Sequence, residues 1–320
     1  MGEGGAFRHD EWRMVLAATD PAGLRSAQWR SHTPLQMLAA NQTSTLQPIE
    51  YICSGGGTWH LALHISPVTR KYVHDTRPAC NPKKEWVNDS IDKLTTRGAF
   101  EAGVNGGFFI TASGKVIGDV GEGSQGTWLN SEAGHGNPPK PRWAFGWGAG
   151  EVTAQNPHVK QSVDFSVPAE VESRSGYGIS AIGCLHHYDA ATQSWEWLQP
   201  SDQGDWPSPS SNEYRTVIGW ARAAIPTCDY YLFFQLIGTS WTWNETVAFC
   251  RDQLPDLMAQ KVTQGKYGLS VQMREVMMLD GGGSTQFYYS VTGRPPDIWK
   301  YHPDPDRRRP VPNYIRGSAW

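Results

Sequence analysis

Apolar runs with the two-residue period of a β-strand recur along this chain, and they restrict it to a fold built mainly of sheet. Trp59-His60-Leu61-Ala62-Leu63-His64-Ile65 alternates in this way, and after Ser66-Pro67 the run Lys71-Tyr72-Val73-His74 resumes the pattern. Arg142 to Trp147, Arg215 to Trp220, Tyr230 to Ile237 and Glu275 to Leu279 read as further strands, and Phe287 to Val291 as the hairpin return of the last. Helical spacing is clear only after Thr239 to Asn244, where Val247, Cys250, Leu254, Leu257 and Met258 share one face. Pro255 inside that run predicts a kink or a restart. A short helix from the cap Asn88-Asp89-Ser90 through Thr95, ended by Gly98, and a helical stretch over Asp10 to Leu16 complete the helices. The fold class expected is α+β: a substantially antiparallel β-sheet core, a few packed helices, and Gly-rich loops at strand ends forming the site. Residues 1–57 read as an N-terminal extension of unknown role, and 58–320 as one domain without solenoid repeats.

Composition narrows the partners. Hydrophobic residues at 39% and charged residues at 18% suit a packed core rather than a disordered chain. The net charge of -3 supplies no general attraction to nucleic acid or to an anionic membrane, so any anion must be held locally. No apolar stretch approaches the length of a membrane span, and Met1 to Gly5 lacks a signal-like start, which leaves secreted and cytoplasmic locations both open. The five widely spaced cysteines, Cys53, Cys80, Cys184, Cys228 and Cys250, form no C-x-x-C pair. Fifteen Trp, twelve Tyr and ten Phe are expected chiefly in the core, although such faces also pack on sugars.

Chemistry concentrates at two strand-end loops. In Leu279-Asp280-Gly281-Gly282-Gly283-Ser284-Thr285, three glycines after an apolar strand expose backbone amides that can cradle an anion. Asp280 offers a general acid or base there, and Ser284 and Thr285 offer hydroxyls. Asn105-Gly106-Gly107, before Phe108-Phe109, repeats the design, although Asn-Gly between apolar runs also suits a hairpin turn. Arg215 and Arg309 carry the guanidinium groups suited to phosphate. Other patterns read as background. Gly121 to Gly126 matches G-x-G-x-x-G without a following amphipathic helix; His60 and His64 share a strand face; His186-His187 point to opposite faces; Asp304-Pro305-Asp306 suits a surface. Motifs of P-loop kinases, zincins and serine hydrolases are missing, and no metal or cofactor is expected.

Taken in order, these pieces resemble the phosphodiester glycosidase family over roughly residues 58 to 318. Its A-x-N-G-G-F-F segment is similar to Ala102 to Phe109 with one extra residue before Asn105, and its R-T-A-I-G to Arg215-Thr216-Val217-Ile218-Gly219. Its L-D-G-G-G-S-T is matched by Leu279 to Thr285, and its R-x-V-x-N by Arg309 to Asn313. The chain departs from the pattern at Gly238 to Glu245, where the family carries G-L-T-L-x-E. The resemblance implies hydrolysis of a sugar-1-phosphate diester, of N-acetylglucosamine or another sugar, releasing a sugar and a phosphomonoester. It implies a glycosyl-phosphate, nucleotide-sugar or polysaccharide substrate. Arg215 and Arg309 would hold phosphate, with the amides of Gly281, Gly282 and Gly283 and the Ser284 and Thr285 hydroxyls. Asn105, beside Gly106 and Gly107, would hold a sugar hydroxyl, and Asp280 would act on water or on the anomeric carbon. Glu101 and Asp119 are the nearest second carboxylates in sequence. The competing readings are a non-catalytic carbohydrate- or nucleotide-binding module and a phosphodiesterase cleaving P–O.

Overall fold

A computed structural model describes residues 27–31, 45–53, 58–67, 77–80, 100–110, 115–118, 120–121, 128–129, 142–147, 158–162, 177–200, 210–225, 228–263, 270–291, 297–300, 309, 311 and 313–318. The predicted elements over Asp10 to Leu16, Lys71 to His74 and Asn88 to Thr95 lie outside these residues, as do Asp119, Asp304 to Asp306 and most of the Gly121 to Gly126 segment.

The larger sheet runs β1 (Ala27–Ser31), β2 (Thr45–Cys53), β3 (Thr58–Pro67), β15 (Cys228–Trp241), β14 (Glu213–Ile225), β16 (Ser270–Met278), β12 (Tyr177–Asp189), β10 (Arg142–Trp147) and β11 (His158–Ser162). β13 (Ser194–Trp197) also pairs with β12, and β8 (Val120–Gly121) pairs with both β12 and β9 (Trp128–Leu129). The smaller sheet runs β18 (Asp297–Lys300), β17 (Gln286–Val291), β5 (Phe100–Asn105), β19 (Asn313–Ser318) and β4 (Arg77–Cys80). A short ladder joins β6 (Phe109–Ile110) to β7 (Lys115–Val116). Neighbouring strands pair antiparallel, as in β14 with β15 and β17 with β5. The segment read as an N-terminal extension supplies β1 and β2, and β2 pairs with β3 from Thr45–Ile65 to Ile52–Thr58.

Three layers follow from which side chains face where. Val276 and Met278 of β16 and Val217 of β14 share a core with Trp59, Leu61, Phe234 and Leu236, closed by the helical residues Trp243, Val247, Leu254, Leu257 and Met258. Met277, Leu279 and Ile218 instead join Ala102, Val104, Phe287 and Ile315 of the smaller sheet. The end of β16, Val276–Met278, is thus buried on both faces, which is why it is a continuous apolar run rather than an alternation. The aromatics serve this core: Trp59 stacks on Trp241 and Phe249, with ring centroids 4.8 and 4.6 Å away. Removing so buried a ring costs about 3–5 kcal/mol. Cys184 and Cys250 are buried and carry no disulfide.

The helix expected to follow Thr239 to Asn244 begins at Trp243, directly after β15 ends at Trp241. Thr242 caps α1 (Trp243–Ala248) in a reciprocal capping box with Glu245. A π-helical turn, Phe249–Gln253, then leads to α2 (Leu254–Thr263). Pro255 is the cause: it has no N–H to give and its ring crowds the carbonyl four residues back, so the wider turn just before it admits the ring and the helix restarts.

Two expected hairpins are crossovers instead. β17 pairs with β5 and β18, not with β16, so the chain leaves the larger sheet at Asp280 and enters the smaller one at Gln286. Likewise β5 does not pair with β6, so Asn105-Gly106-Gly107 is an open strand-end loop rather than a two-residue turn. Antiparallel partners in the same sheet need only a tight turn, whereas Gly281 to Thr285 must change layers.

Candidate active site

The Gly-rich turn is anchored at its start by the backbone. Leu279 N–H donates to Thr216 O at 2.9 Å, and Asp280 N–H to Gly106 O at 3.1 Å, so the two strand-end loops meet directly. Gly282–Ser284 forms one 3₁₀ turn, with Ser284 N–H on Gly281 O and Thr285 N–H on Gly282 O. The glycines are required by contact. A Cβ on Gly281 would lie 2.5 Å from Tyr214 O, and one on Gly106 would lie 2.1 Å from Asn313 Oδ1. The N–H groups of Gly282 and Gly283 donate to no group among the described residues.

Asn105 is the bolt between the loops. Fully buried, it donates from Nδ2 to Asp280 O at 2.7 Å and makes a longer 3.4 Å contact to Gly106 O. Its Oδ1 accepts from Thr216 Oγ1 at 2.7 Å and from Gln286 N–H at 3.1 Å. A carboxamide has two donors and two acceptor lone pairs, and all are engaged. The hydrogen-bonding capacity expected to meet a sugar hydroxyl is thus engaged within the protein, and Nδ2 fixes the Asp280 carbonyl. Thr285 joins the same network, its hydroxyl 3.4 Å from that of Thr216. Gly107 is buried beside it.

Asp280 is the titratable centre. It is only 9% exposed, and burial lifts its pKa from 3.8 to about 6. The neighbouring Ser284 hydroxyl, the Gly281 N–H and the Arg309 charge oppose that rise. Gly281 N–H reaches Asp280 Oδ1 at 2.9 Å. The Ser284 hydroxyl stands near enough to favour the carboxylate, while its buried Oγ makes no hydrogen bond of ordinary geometry. Asn313, 1% exposed, is in the same condition at both Nδ2 and Oδ1. Buried polar atoms left without partners are uncommon because each costs about 1–3 kcal/mol. Three such atoms on the segments that converge at Gly106 and Asp280 mark a place suited to a polar ligand.

The two arginines part company. The Arg309 backbone is locked to the turn, its N–H on Gly283 O at 2.9 Å and its carbonyl accepting from Gln286 Nε2 at 2.6 Å. Its exposed side chain is close enough to lower the pKa of Asp280. Arg215 sits on the other face of β14 from Thr216, on the helical side with Val217. It is 3% exposed and donates from Nε to Trp241 O at 2.9 Å and from Nη2 to Ser211 O at 3.0 Å. Burial draws its pKa down to about 10 against the attraction of Glu213. It ties the start of β14 to the end of β15.

Glu101 pairs with Ser290 and Ser318 at the far end of β5 from Asn105, away from the turn. His60 is buried between the sheets, and no metal-binding group of His, Cys, Asp or Glu occurs among the described residues. Asn313 and Glu213 were passed over in the sequence. Asn313 lay inside a recognised segment, while Glu213 gave no signal beyond adjacency to Arg215.

No family model matches the chain, and no curated protein matches it. No helix among the described residues is long and apolar enough to cross a membrane. Among solved structures, a crystal structure described as that of a hypothetical protein from Synechocystis is similar at a TM-score of 0.42 and 12% identity. The match covers 89% of this chain and 64% of that one, so the chain spans less than two thirds of that protein's length.

Proposed function

We propose that this protein is a hydrolase that cleaves a glycosyl phosphodiester at the anomeric carbon, releasing a sugar and a phosphomonoester. The observation that carries the reading is Asp280: a buried carboxyl with a pKa of about 6, on a glycine turn that also presents unpartnered hydrogen-bonding atoms and a neighbouring cation. A group titrating near neutrality suits acid–base work. Arg309 and the Gly282 and Gly283 amides would take the phosphate, where fixed donors stabilise the charge that grows on the leaving oxygen. Ser284 and the Asn313 carboxamide would meet sugar hydroxyls, each of which both donates and accepts. The resemblance of the Asn105, Arg215, Asp280 and Arg309 segments to phosphodiester glycosidases supports the same chemistry.

The test is turnover of uridine diphosphate N-acetylglucosamine and of methyl phosphodiesters of N-acetylglucosamine, glucose, galactose and mannose in ¹⁸O-water, with and without chelator. Label appearing in the sugar is the expected result. Label in the phosphate would assign P–O cleavage instead, and binding without turnover across the panel would assign a non-catalytic module.

A further inference from the structure

A second carboxylate borders the same turn. Glu213 opens β14, and a Cβ placed on Gly282 would lie 3.7 Å from its Oε2, an ordinary van der Waals contact. The next residue touches the turn as well, since Tyr214 O is the atom that excludes a side chain at Gly281. The opening of β14 therefore lies against the Gly281–Gly282 step, with no side chain of the turn between its backbone and the Glu213 carboxylate. Ser211 Oγ donates to Glu213 Oε1 at 3.3 Å, which leaves Oε2 on the side of the turn. A register shift between Glu213 and Arg215 breaks the strand's alternation at this point, and the Arg215 guanidinium lies near enough to interact with the carboxylate. Asp280 begins the same turn, its Oδ1 accepting from Gly281 N–H. The two acids differ in one respect that matters: Asp280 is buried, whereas Glu213 is partly exposed and reached by water.

We propose that Glu213 is the second catalytic carboxylate of this site, taking a proton from the attacking water while Asp280 gives its proton to the departing phosphate oxygen. The proposal rests on the glycosyl-phosphodiester reading above. In the step, the water oxygen bonds to the anomeric carbon as the bond from that carbon to the phosphate oxygen breaks. The electron pair of the broken bond stays on the phosphate oxygen, which receives the Asp280 proton, and the water proton passes to Glu213. Glu213 then loses a proton to solvent and Asp280 regains one, so the net change is one water consumed. Water attacking opposite the leaving group inverts the anomeric centre. Two carboxyls in unlike surroundings divide acid from base by environment: the buried one is set apart from water as the acid, and the one facing solvent meets the water. The Asp280 value of about 6 also lies near the second ionisation of a phosphomonoester, about 6, so the transfer between them is nearly balanced.

The experiment compares wild type with Glu213→Gln and Glu213→Ala on whichever methyl glycosyl phosphodiester of the panel wild type turns over fastest. Glu213→Gln should lower kcat by about 10²–10⁴ while KM stays within about threefold. Sodium azide, which needs no base, should restore consumption by Glu213→Ala and yield a glycosyl azide of inverted configuration. Glu213→Gln with kcat within about threefold of an active wild type overturns the Glu213 role and leaves the hydrolase reading standing. So does azide without effect, or an azide product of retained configuration. Wild type inactive on every substrate overturns both. Gln retains an acceptor for Ser211 at a partly exposed position; should that variant unfold, Glu213→Ala with azide carries the same test.

Discussion

Replacing Asp280 with Asn should remove activity and make the protein more stable. The folded protein binds a proton at Asp280 more tightly than the unfolded chain does, because burial raises the pKa from 3.8 to about 6. Between those values the folded state carries the extra proton, so stability falls as pH rises through the window. The penalty is complete above it and absent below 3.8. At about 1.4 kcal/mol for each tenfold change in proton affinity, it amounts to about 3 kcal/mol at neutral pH. Asn is neutral at every pH, nearly isosteric, and keeps an oxygen to accept from Gly281 N–H. Asp280→Asn should therefore gain up to about 3 kcal/mol in urea unfolding at pH 7.5, or a melting point higher by roughly 4–5 °C for a chain of this size. The gain should shrink toward zero at pH 3.8, while turnover at pH 6 falls by about 10³ or more. Urea titrations of both proteins at pH 7.5, 6.0 and 4.0 decide the matter. Equal stability at pH 7.5, or a difference that does not change with pH, would refute the account of a carboxyl strained by burial.

Three further outcomes follow from the geometry. Asn105→Ala strands Thr216 Oγ1, Gln286 N–H and the Asp280 carbonyl at once, and should cost about 3–5 kcal/mol in urea unfolding; a loss under about 1 kcal/mol would deny it the role of bolt. Arg309→Ala should cut kcat/KM by about tenfold or more and move the Asp280 limb of the pH profile upward with little change in melting point. Arg215→Ala should instead destabilise the fold, and the reverse pattern would restore Arg215 to the phosphate. Glu275, lifted by burial to about 7 while accepting from Trp220 Nε1, should give wild type a second loss of stability as pH rises from about 4.5 to 7. Glu275→Gln should erase that slope in pH-dependent unfolding, and an unchanged slope would count against the buried acid.

What could be read from the sequence and what could not divide along the distance over which each feature is decided. Period-two runs such as Trp59 to Ile65 and the helical spacing of Val247, Cys250, Leu254, Leu257 and Met258 are settled within a few residues, and a strand and helical turns lie over them. Whether Gly281 to Thr285 turns back or changes sheets depends on Phe287 finding Val104, nearly two hundred residues earlier, and no local pattern states that. The site residues sort by the same logic. Asn105 and Arg215 have the right chemistry to touch a ligand, but a side chain's partners are fixed by the face and the layer it meets: Asn105 meets three backbone and hydroxyl groups of the crossover, and Arg215 falls on the helical side of β14. Asn313 and Glu213 emerge by the converse argument, one because its buried carboxamide meets nothing, the other because two glycines leave its carboxylate against bare backbone. A glycine-rich turn is therefore informative less for its own amides than for the side chains from distant strands that it allows to approach. That is why Asp280 can be proposed from its own segment, while its proposed partner at Glu213 requires the packing of β14 against the turn.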